Sequence, residues 1–299
     1  MLAAASRATS FLGDAARATA HFLRSQQNPD GGFRGRSAAS DLYYTVFAIE
    51  GLIALGEPPD PAPLRRYLDS FGDGAGLDLI HLACLVRCWA DIECAMRNLP
   101  QVPNLREVCL QRIKAHRSAD GGYNPTPGAD HGTAYACFFA LGALQDLNLP
   151  QVPNLREVMG CLSALRREGG GYANERPLRS PTTPTTAAAA SVIKQLGGAV
   201  DKATAQWLLN RIAPKGGFFA TEATPLPDLL STATALHALD SLAQPCPELS
   251  EGPRRATAEF VSALQAESGG FRGLELDEEP DAEYTFYALL ALGHLIPVR

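Results

Sequence analysis

The sequence predicts an all-α protein, an (α/α)6 toroid (barrel) of six helical hairpins, and three observations support this fold class. A Gly-Gly-aromatic signature recurs along the chain, a short amphipathic segment precedes each copy, and a long apolar segment rich in Ala and Leu follows it. A fixed period of about 45–50 residues is typical of repeat architectures. We predict a single domain over residues 1–299, with repeats at approximately 20–56, 64–92, 110–147, 158–197, 204–242 and 258–296.

The glycine pairs predict the turn inside each hairpin. They occur in DGGFRG (30–35), DGGYNP (120–125), GGGYAN (169–174), KGGFFA (215–220) and SGGFRG (268–273), with a degenerate copy, GDGAGLD, at 72–78. Glycine ends helices and adopts the positive φ angles that tight turns need. The aromatic residue after each pair is expected to fill the gap between neighbouring hairpins.

A recurrent aspartate predicts the start of the second helix of each hairpin. It occurs as Asp41, Asp78, Asp130, Asp228 and Asp281, and Thr182 takes its place in the fourth copy. Both residue types cap helices, because their side-chain oxygens accept hydrogen bonds from the free N–H groups of the first turn. The second helices are apolar nearly all round, which favours burial, whereas the first helices keep one polar face. An inner ring of second helices inside an outer ring of first helices satisfies both patterns.

One segment, NLPQVPNLREV, occurs twice without a change, at 98–108 and 148–158. The surrounding repeats have diverged much further, which favours a recent local duplication or an error in the gene prediction over selection. Both copies precede a first helix, where an additional loop is tolerated.

Composition excludes several classes of protein. The chain has 299 residues, of which 46% are hydrophobic, and a formal net charge of −6. It lacks the basic stripe that neutralises phosphates, so we expect no nucleic-acid partner. No apolar segment approaches the ~20 residues that span a bilayer, and the N-terminal segment lacks the continuous apolar core of a signal peptide. The seven scattered cysteines are typical of reduced thiols, so a cytoplasmic location is expected.

The repeated Q-x-x-x-G-G-F turn and the D-x-x-[YH]-T helix start resemble the prenyltransferase/squalene-cyclase repeat. The resemblance covers about residues 20–296. The family includes the protein prenyltransferase β subunits and the terpenoid cyclases. It implies a central funnel that holds an isoprenoid, with Tyr44, Tyr135 and Tyr284 on its wall. Copies one, three and six begin their second helices with aromatic residues, and copies four and five with small ones, so we expect a cavity unless outer-helix side chains fill it.

The sequence departs from the catalytic motifs of that family. The cysteine and histidine positions of the prenyltransferase zinc site correspond to Leu230 and Tyr284, so no zinc site is expected. In the D-x-D-D-T motif of squalene cyclases, the proton-donating aspartate corresponds to Tyr44 in one copy and Tyr284 in another. The candidate catalytic residues are Asp228, which keeps the aspartate of the zinc motif, and Asp281, which keeps the aspartate that opens the D-x-D-D-T motif.

One stretch of the sequence matches the family more closely than these catalytic motifs do. The stretch ADHGTAYAC at 129–137 is similar to the family's His-Gly segment with a cysteine six residues after the histidine, which implies that His131 contacts the isoprenoid diphosphate. Arg176 and Arg179 lie in the loop where the family places further diphosphate ligands. Mg²⁺ is then the possible cofactor. Alternatively, both arginines are solvated loop residues.

A group of metal-binding residue types lies along one predicted helix. Asp78, His81, Cys84 and Cys88 are all zinc ligands in other proteins, but Cys88 would lie about 15 Å along the helix from Asp78. A buried cap with two core thiols is therefore favoured over a metal site.

Two function classes remain open. The first is an isoprenoid-handling prenyltransferase-like or terpenoid-cyclase-like protein whose funnel binds a polyprenyl diphosphate or another apolar molecule. The alternative is a non-catalytic toroid that binds a protein or peptide. A β subunit that needs an α-subunit-like protein partner is a third possibility, and an exposed apolar face on the outer helices would support it.

Overall fold

The computed structural model describes residues 1–95, 105–148, 155–242 and 249–296. Over these residues the regular secondary structure is α-helical, apart from isolated β-bridges and a 3-10 turn at Glu168–Gly170. In chain order the helices are α1 (Leu2–Ala5), α2 (Ala8–Leu12), α3 (Ala15–Ser25), α4 (Leu42–Ala54), α5 (Pro61–Asp69), α6 (Leu79–Ala95), α7 (Leu105–Ala115), α8 (Ala134–Asp146), α9 (Leu155–Leu165), α10 (Thr183–Gln195), α11 (Lys202–Leu209), α12 (Leu229–Ser241), α13 (Glu251–Ala263) and α14 (Ala282–Leu295).

Six of these helices form a closed inner ring. Helices α4, α6, α8, α10, α12 and α14 each pack on the next, and α14 packs on α4. Helices α3, α5, α7, α9, α11 and α13 pack on the outside of this ring, while α1 and α2 lie against α14, with α1 also touching α4. The predicted (α/α)6 toroid is confirmed.

The inner helices begin at side-chain caps. Asp41, Asp228 and Asp281 accept hydrogen bonds from N–H groups of the first turn at 2.7, 2.7 and 2.9 Å. Asp78 caps α6 in the same way, and Thr182 caps α10. The sequence prediction was wrong in the third copy, where Thr133 and not Asp130 is the cap. Asp130 lies three residues upstream in the loop, where its carbonyl oxygen accepts from the N–H of Asp120.

In four of the six inner helices, a buried threonine one turn into the helix ties the helix to its own turn. The hydroxyl oxygens of Thr45, Thr186, Thr232 and Thr285 accept from the N–H groups of the turn aromatics Phe33, Tyr172, Phe218 and Phe271 at 2.9, 2.9, 2.9 and 3.0 Å, respectively. These aromatic side chains are at most 5% exposed, which confirms that they fill the gaps. The threonine of the D-x-x-x-T pattern is therefore a fold determinant.

The glycine pair of each turn contacts the outer helix of the next repeat, and the last turn contacts the first outer helix. A Cβ on Gly269, whose φ is 93°, would overlap the carbonyl of Ala18, and one on Gly270 would overlap the ring of Phe22. The hydroxyl of Thr19 donates to the carbonyl of Gly269 at 3.0 Å. This contact seals the ring between its last and first repeats.

The duplicated segment lies mainly outside the described residues. Its two LREV ends fall inside them, where they begin α7 and α9. No helix in the described chain is both long and apolar enough to cross a membrane.

Candidate functional site

Four layers of side chains face the axis of the ring. Each inner helix presents the residues 2, 6, 9 and 13 positions after its cap, a spacing that keeps them on one helix face. The first layer consists of Tyr43, Ile80, Tyr135, Pro184, Leu230 and Glu283, and the second of Phe47, Cys84, Phe139, Ala188, Thr234 and Tyr287. The third consists of Glu50, Arg87, Gly142, Ser191, His237 and Leu290, and the fourth of Ala54, Asp91, Asp146, Gln195, Ser241 and His294. We call the first two layers the upper lumen and the last two the lower lumen.

The upper lumen holds the half-buried carboxyl of Glu283. The hydroxyl of Tyr43 donates to Oε1 of Glu283 at 2.7 Å. Burial raises the pKa of Glu283 to about 7, and the charge of Asp281 acts in the same direction against the Tyr43 hydrogen bond and Arg36. Burial also raises the pKa of Tyr43 well above its ordinary value, so the tyrosine stays a hydrogen-bond donor.

Aromatic rings surround this carboxyl. Phe47 lies between Tyr43 and Tyr287, with ring centroids 4.9 and 5.3 Å apart. Tyr135 enters from α8, and burial raises its pKa to about 12. Four side chains of the upper lumen keep partial exposure, although outer helices cover the other side of the helices that carry them: Phe47, Tyr135, Leu230 and Thr234. Solvent therefore reaches them along the axis.

The predicted small residues lie on α10 and α12. Helix α10 contributes Thr185, Thr186 and Ala187–Ala190, all less than 9% exposed, and α12 contributes the fully buried Ser231, Thr232 and Ala233. The axial layers take Pro184 and Ala188 from α10 and Leu230 and Thr234 from α12, so most of the predicted small residues pack inside the wall of the ring.

At the rim, Asp281 caps α14 and is paired with Arg36. The Arg36 Nε lies 3.1 Å from Oδ2 of Asp281, whose side chain is only 2% exposed. Burial raises the pKa of Asp281, against the Tyr284 N–H and the Arg36 charge. Asp228 is held by Ser231, whose N–H and hydroxyl both donate to it at 2.7 Å, and burial raises its pKa as well. Both candidate catalytic aspartates are thus helix caps whose oxygens have partners.

Two predicted wall residues lie at the rim. The ring of Tyr44 covers Gly35, and that of Tyr284 covers Gly273, since a Cβ on either glycine would overlap the ring. Arg36 lies over the Tyr284 ring, 5.6 Å from its centroid. The side chains that face the axis are instead those one position earlier, Tyr43 and Glu283.

His131 and Arg176 are brought together by Asp120. Arg176 Nη2 lies 3.1 Å from Oδ2 of Asp120, and His131 Nδ1 lies 3.6 Å from the same oxygen. Burial acts to raise the pKa of Asp120, but hydrogen bonds from Ser118 and two backbone N–H groups, with the Arg176 charge, hold it below its ordinary value. Arg179 is exposed and makes no hydrogen bond or ion pair with the described part of the chain.

His81 is held between two carboxylates at the rim. Its Nδ1 lies 2.9 Å from Asp78 and its Nε2 3.4 Å from Asp41. Burial acts to lower the pKa of His81, but the two carboxylates raise it overall. Burial also raises the pKa of Cys84, so this cysteine stays a thiol. Within the described residues no group of His, Cys, Asp and Glu side chains is arranged to hold a metal.

The lower lumen is charged. Arg87 donates to Glu50 at 2.8 Å and to Asp146 at 2.6 Å. Burial, with the charge of Glu50, raises the pKa of Asp91 to about 8, and its buried Oδ2 has no hydrogen-bond partner among the described residues. Two histidines, His237 and His294, also lie in these layers.

Comparison with known proteins identifies the family. The model of the prenyltransferase alpha-alpha toroid domain matches residues 3–86, 116–229 and 185–296. The chain belongs to this toroid family. A search of the curated proteins returned no match.

Solved structures share the fold at low sequence identity. Protein geranylgeranyltransferase-I of Candida albicans, in complex with GGPP, is 15% identical over 92% of this chain and 89% of that chain, with a TM-score of 0.71. The type II terpene cyclase MstE from Scytonema is 15% identical over 96% of this chain and 97% of that chain, with a TM-score of 0.62. An alpha-1,6-mannanase of Salegentibacter is 13% identical over 94% and 98% of the two chains, with a TM-score of 0.61. Toroids of this shape therefore serve more than one chemistry, and the side chains of the lumen must decide the function.

Glu283 was not among the residues predicted from the sequence. The comparison with the D-x-D-D-T motif used its fourth position, which is Tyr284, whereas the third position carries a carboxylate as Glu283. The signal was available, because the residue two positions after each cap faces the axis.

Proposed function

We propose that this protein binds an isoprenoid chain in the upper lumen and starts its cyclisation by proton transfer from Glu283. The observation that carries the proposal is the half-buried carboxyl of Glu283, which accepts a hydrogen bond from Tyr43 and has its pKa raised to about 7. At pH 7 such a carboxyl holds a proton about half of the time, whereas an exposed glutamate is almost fully ionised. A proton donor in an apolar pocket suits general acid catalysis.

The surroundings of Glu283 suit both the substrate and a cationic intermediate. The rings of Tyr43, Phe47 and Tyr287 give an isoprenoid chain apolar surface to bury. Their faces also attract a cation, by about 2 kcal/mol or more where water is excluded. The carboxylate left after proton transfer adds a fixed negative charge beside the developing cation.

The strength of the acid favours particular substrates. A carboxyl with a pKa of about 7 protonates an isolated alkene only at a high free-energy cost. Protonation of a terminal epoxide or of an electron-rich alkene requires less free energy. With an epoxide, the proton goes to oxygen, the C–O bond breaks to leave a tertiary carbocation, and the next double bond supplies its electron pair to close the ring.

The candidate catalytic aspartates take supporting roles in this scheme. Asp281 is a positioning residue, because its charge acts to raise the pKa of Glu283 and its carboxylate is bound to Arg36. Asp228 holds the start of α12 and thereby the wall residue Leu230. The ligands named with the geranylgeranyltransferase and with the terpene cyclase, GGPP and geranylgeranyl dihydroxybenzoate, are isoprenoids and support an isoprenoid here.

A polyprenyl diphosphate, with Mg²⁺, is the second candidate ligand. The observation that favours it is the meeting of His131 and Arg176 in the loops that precede α8 and α10. Asp120 already offsets part of this positive charge, so diphosphate binding would rely on Arg179 or the metal as well. A protein partner finds less support, since Leu155 is the exposed large apolar side chain on the described outer helices α3 to α13.

The test uses geranylgeranyl dihydroxybenzoate and its terminal epoxide as probes. The protein is incubated with each, and cyclised products are sought by mass spectrometry. We expect turnover of the epoxide that falls by about a hundredfold or more in Glu283→Gln and stays unchanged in Glu259→Gln, a carboxyl exposed on α13. Turnover should also decline as the pH rises through about 7, where Glu283 ionises. Equal turnover by Glu283→Gln would overturn the assignment.

A binding measurement separates the second candidate. Thermal melting with geranylgeranyl diphosphate and Mg²⁺ should give a shift that Arg176→Ala removes if the diphosphate is the ligand. A ligand at 100 times its Kd adds about 2.7 kcal/mol to the free energy of unfolding.

A further inference from the structure

A hydrogen-bonded pair of histidines lies at the other end of the lumen from Glu283. His237 follows Leu230 and Thr234 on the axial face of α12, and His294 lies on α14. Nδ1 of His237 is 3.0 Å from Nε2 of His294, and the ring centroids are 5.1 Å apart. Glu283 and His294 share α14 and lie about 16 Å apart along that helix, while His237, one layer above His294, lies about 10 Å below the layer of Glu283.

The pair continues outward to the surface. The side chain of His294 is only 3% exposed, and its Nδ1 lies 3.2 Å from Oδ2 of Asp240, whose side chain is 58% exposed. That nitrogen has no well-oriented hydrogen-bond partner within the described residues. His237, His294 and Asp240 therefore form a line of titratable groups from the lumen to solvent.

Both imidazoles are neutral at pH 7. Burial lowers the pKa of His237 to about 3, and the Met1 amino group and His294 act in the same direction, against Asp240. Burial also lowers the pKa of His294 to about 4, with Arg7 and the Met1 amino group. Arg254 faces the end of α14 and donates to the carbonyl oxygens of His294 and Leu295. A neutral imidazole has a free lone pair and can accept a proton.

We propose that His237 is the base that ends the reaction, and that His294 and Asp240 carry the released proton to solvent. This inference rests on the proposed function. Ring closure moves the positive charge along the chain, away from the end that Glu283 protonates, so the last proton must leave at a distance from the acid. The lower lumen supplies a base there.

The step balances without a further reactant. The C–H bond next to the final carbocation breaks, its electron pair forms a C=C bond, and the proton goes to Nε2 of His237. The Nδ1 proton of His237 passes to Nε2 of His294, and the Nδ1 proton of His294 leaves to Asp240 and water. Glu283 takes a replacement proton from solvent, so protons are neither gained nor lost.

The first test is product analysis with the epoxide of geranylgeranyl dihydroxybenzoate. His237→Gln should still consume the probe, because protonation is untouched. Formation of the wild-type alkene should fall by about a hundredfold, the low end of what a positioned base contributes, in favour of alcohols formed by water or of other alkene isomers. His116→Gln is the matched control, because His116 is also buried but lies on the outer ring with its Nδ1 3.1 Å from the carbonyl of Asn124.

The outcomes separate the two proposals. A wild-type protein that consumes neither probe overturns the proposed function and this inference with it. Turnover that requires Glu283 but gives the same products in His237→Gln overturns this inference alone. Asp240→Asn, a surface change, should slow turnover without changing the products, and it covers the case in which His237→Gln does not fold.

A second measurement needs no substrate. ¹⁵N NMR of the imidazoles should show His237 and His294 neutral between pH 6 and pH 8, each with its proton on Nδ1. A charged ring or a proton on Nε2 of His294 at pH 7 would overturn the relay.

Discussion

The upper and lower lumen are built from the same stripes of the same six helices, yet they differ in chemistry. In the upper lumen aromatic rings surround one carboxyl, Glu283, whose partner is a neutral phenol. In the lower lumen Arg87 lies between Glu50 and Asp146, and the neutral histidines lie on α12 and α14. The toroid fixes where a side chain points, and each layer is then free to carry its own chemistry. The difference predicts that the two halves respond differently to mutation and to pH.

The largest effect is expected from removing the cation of the lower lumen. Arg87→Met leaves Glu50 and Asp146 without their partner, and Glu50 is only 6% exposed. Loss of one partner of a buried pair costs about 3–5 kcal/mol, and the partial exposure of Arg87 points to the lower end of that range. Urea unfolding measures the change. A loss below about 1 kcal/mol would mean that the cluster is solvated like a surface pair.

The upper lumen should instead lower the free energy of unfolding at alkaline pH. Glu283 has a folded-state pKa of about 7, above its ordinary value, so the folded state binds more protons than the unfolded state between these values. Stability therefore falls as the pH rises from about 4.5 to above 7, by up to about 3 kcal/mol. Glu283→Gln should flatten this decline in urea unfolding at pH 5 and pH 8. An unchanged slope would show that Glu283 ionises normally.

The histidines of the lower lumen should act in the opposite direction. Their folded-state pKa values, about 3 and about 4, lie below the ordinary value of histidine, so the unfolded state binds more protons below about pH 6.5. Stability is then lost as the pH falls below 6.5, by roughly 1–2 kcal/mol per histidine by pH 5. His237→Gln should reduce this loss, whereas exposed His21→Gln should not. Asp91, with a pKa of about 8, adds to the alkaline decline and is tested separately as Asp91→Asn.

The smallest effect concerns space in the lower lumen. A Cβ on Gly142 would lie 3.9 Å from Nη2 of Arg87, an ordinary contact, so Gly142→Ala should stabilise α8 by about 0.5–1 kcal/mol. Gly51 is the matched control on α4, where a Cβ would lie 2.8 Å from Cδ1 of Leu23. Thermal melting should rise for the first variant and fall for the second. A fall in both would mean that the lower lumen is already filled at Gly142.

The sequence predicted the fold well because its determinants are local and repeated. The glycine pairs, the capping aspartates and the aromatic plugs each recur, so one weak copy did not obscure the pattern. The predicted cap of α8 was wrong because Asp130 and Thr133 are both good capping residues, and only the conformation of the loop before the helix decides between them.

The lumen was harder to predict because it depends on register between helices far apart in sequence. The sequence pointed to Tyr44 and Tyr284, but a rotation of one residue places Tyr43 and Glu283 on the axis. The groups that meet in the lower lumen, such as Glu50 with Arg87, lie 37 residues apart, and no local pattern joins them. His131 and Arg176 do meet, as the two diphosphate loops imply, but the sequence did not indicate that Asp120 would join them.

The contact of Gly269 and Gly270 with α3 has a consequence for cooperativity. In an open array, the terminal repeat touches one neighbour and can fray alone. In this ring every repeat has two neighbours, so releasing any one of them breaks two interfaces at once. The ring has no terminal repeat from which unfolding can spread, and amide exchange in the six inner helices should report a single common opening free energy rather than a gradient from the ends to the middle.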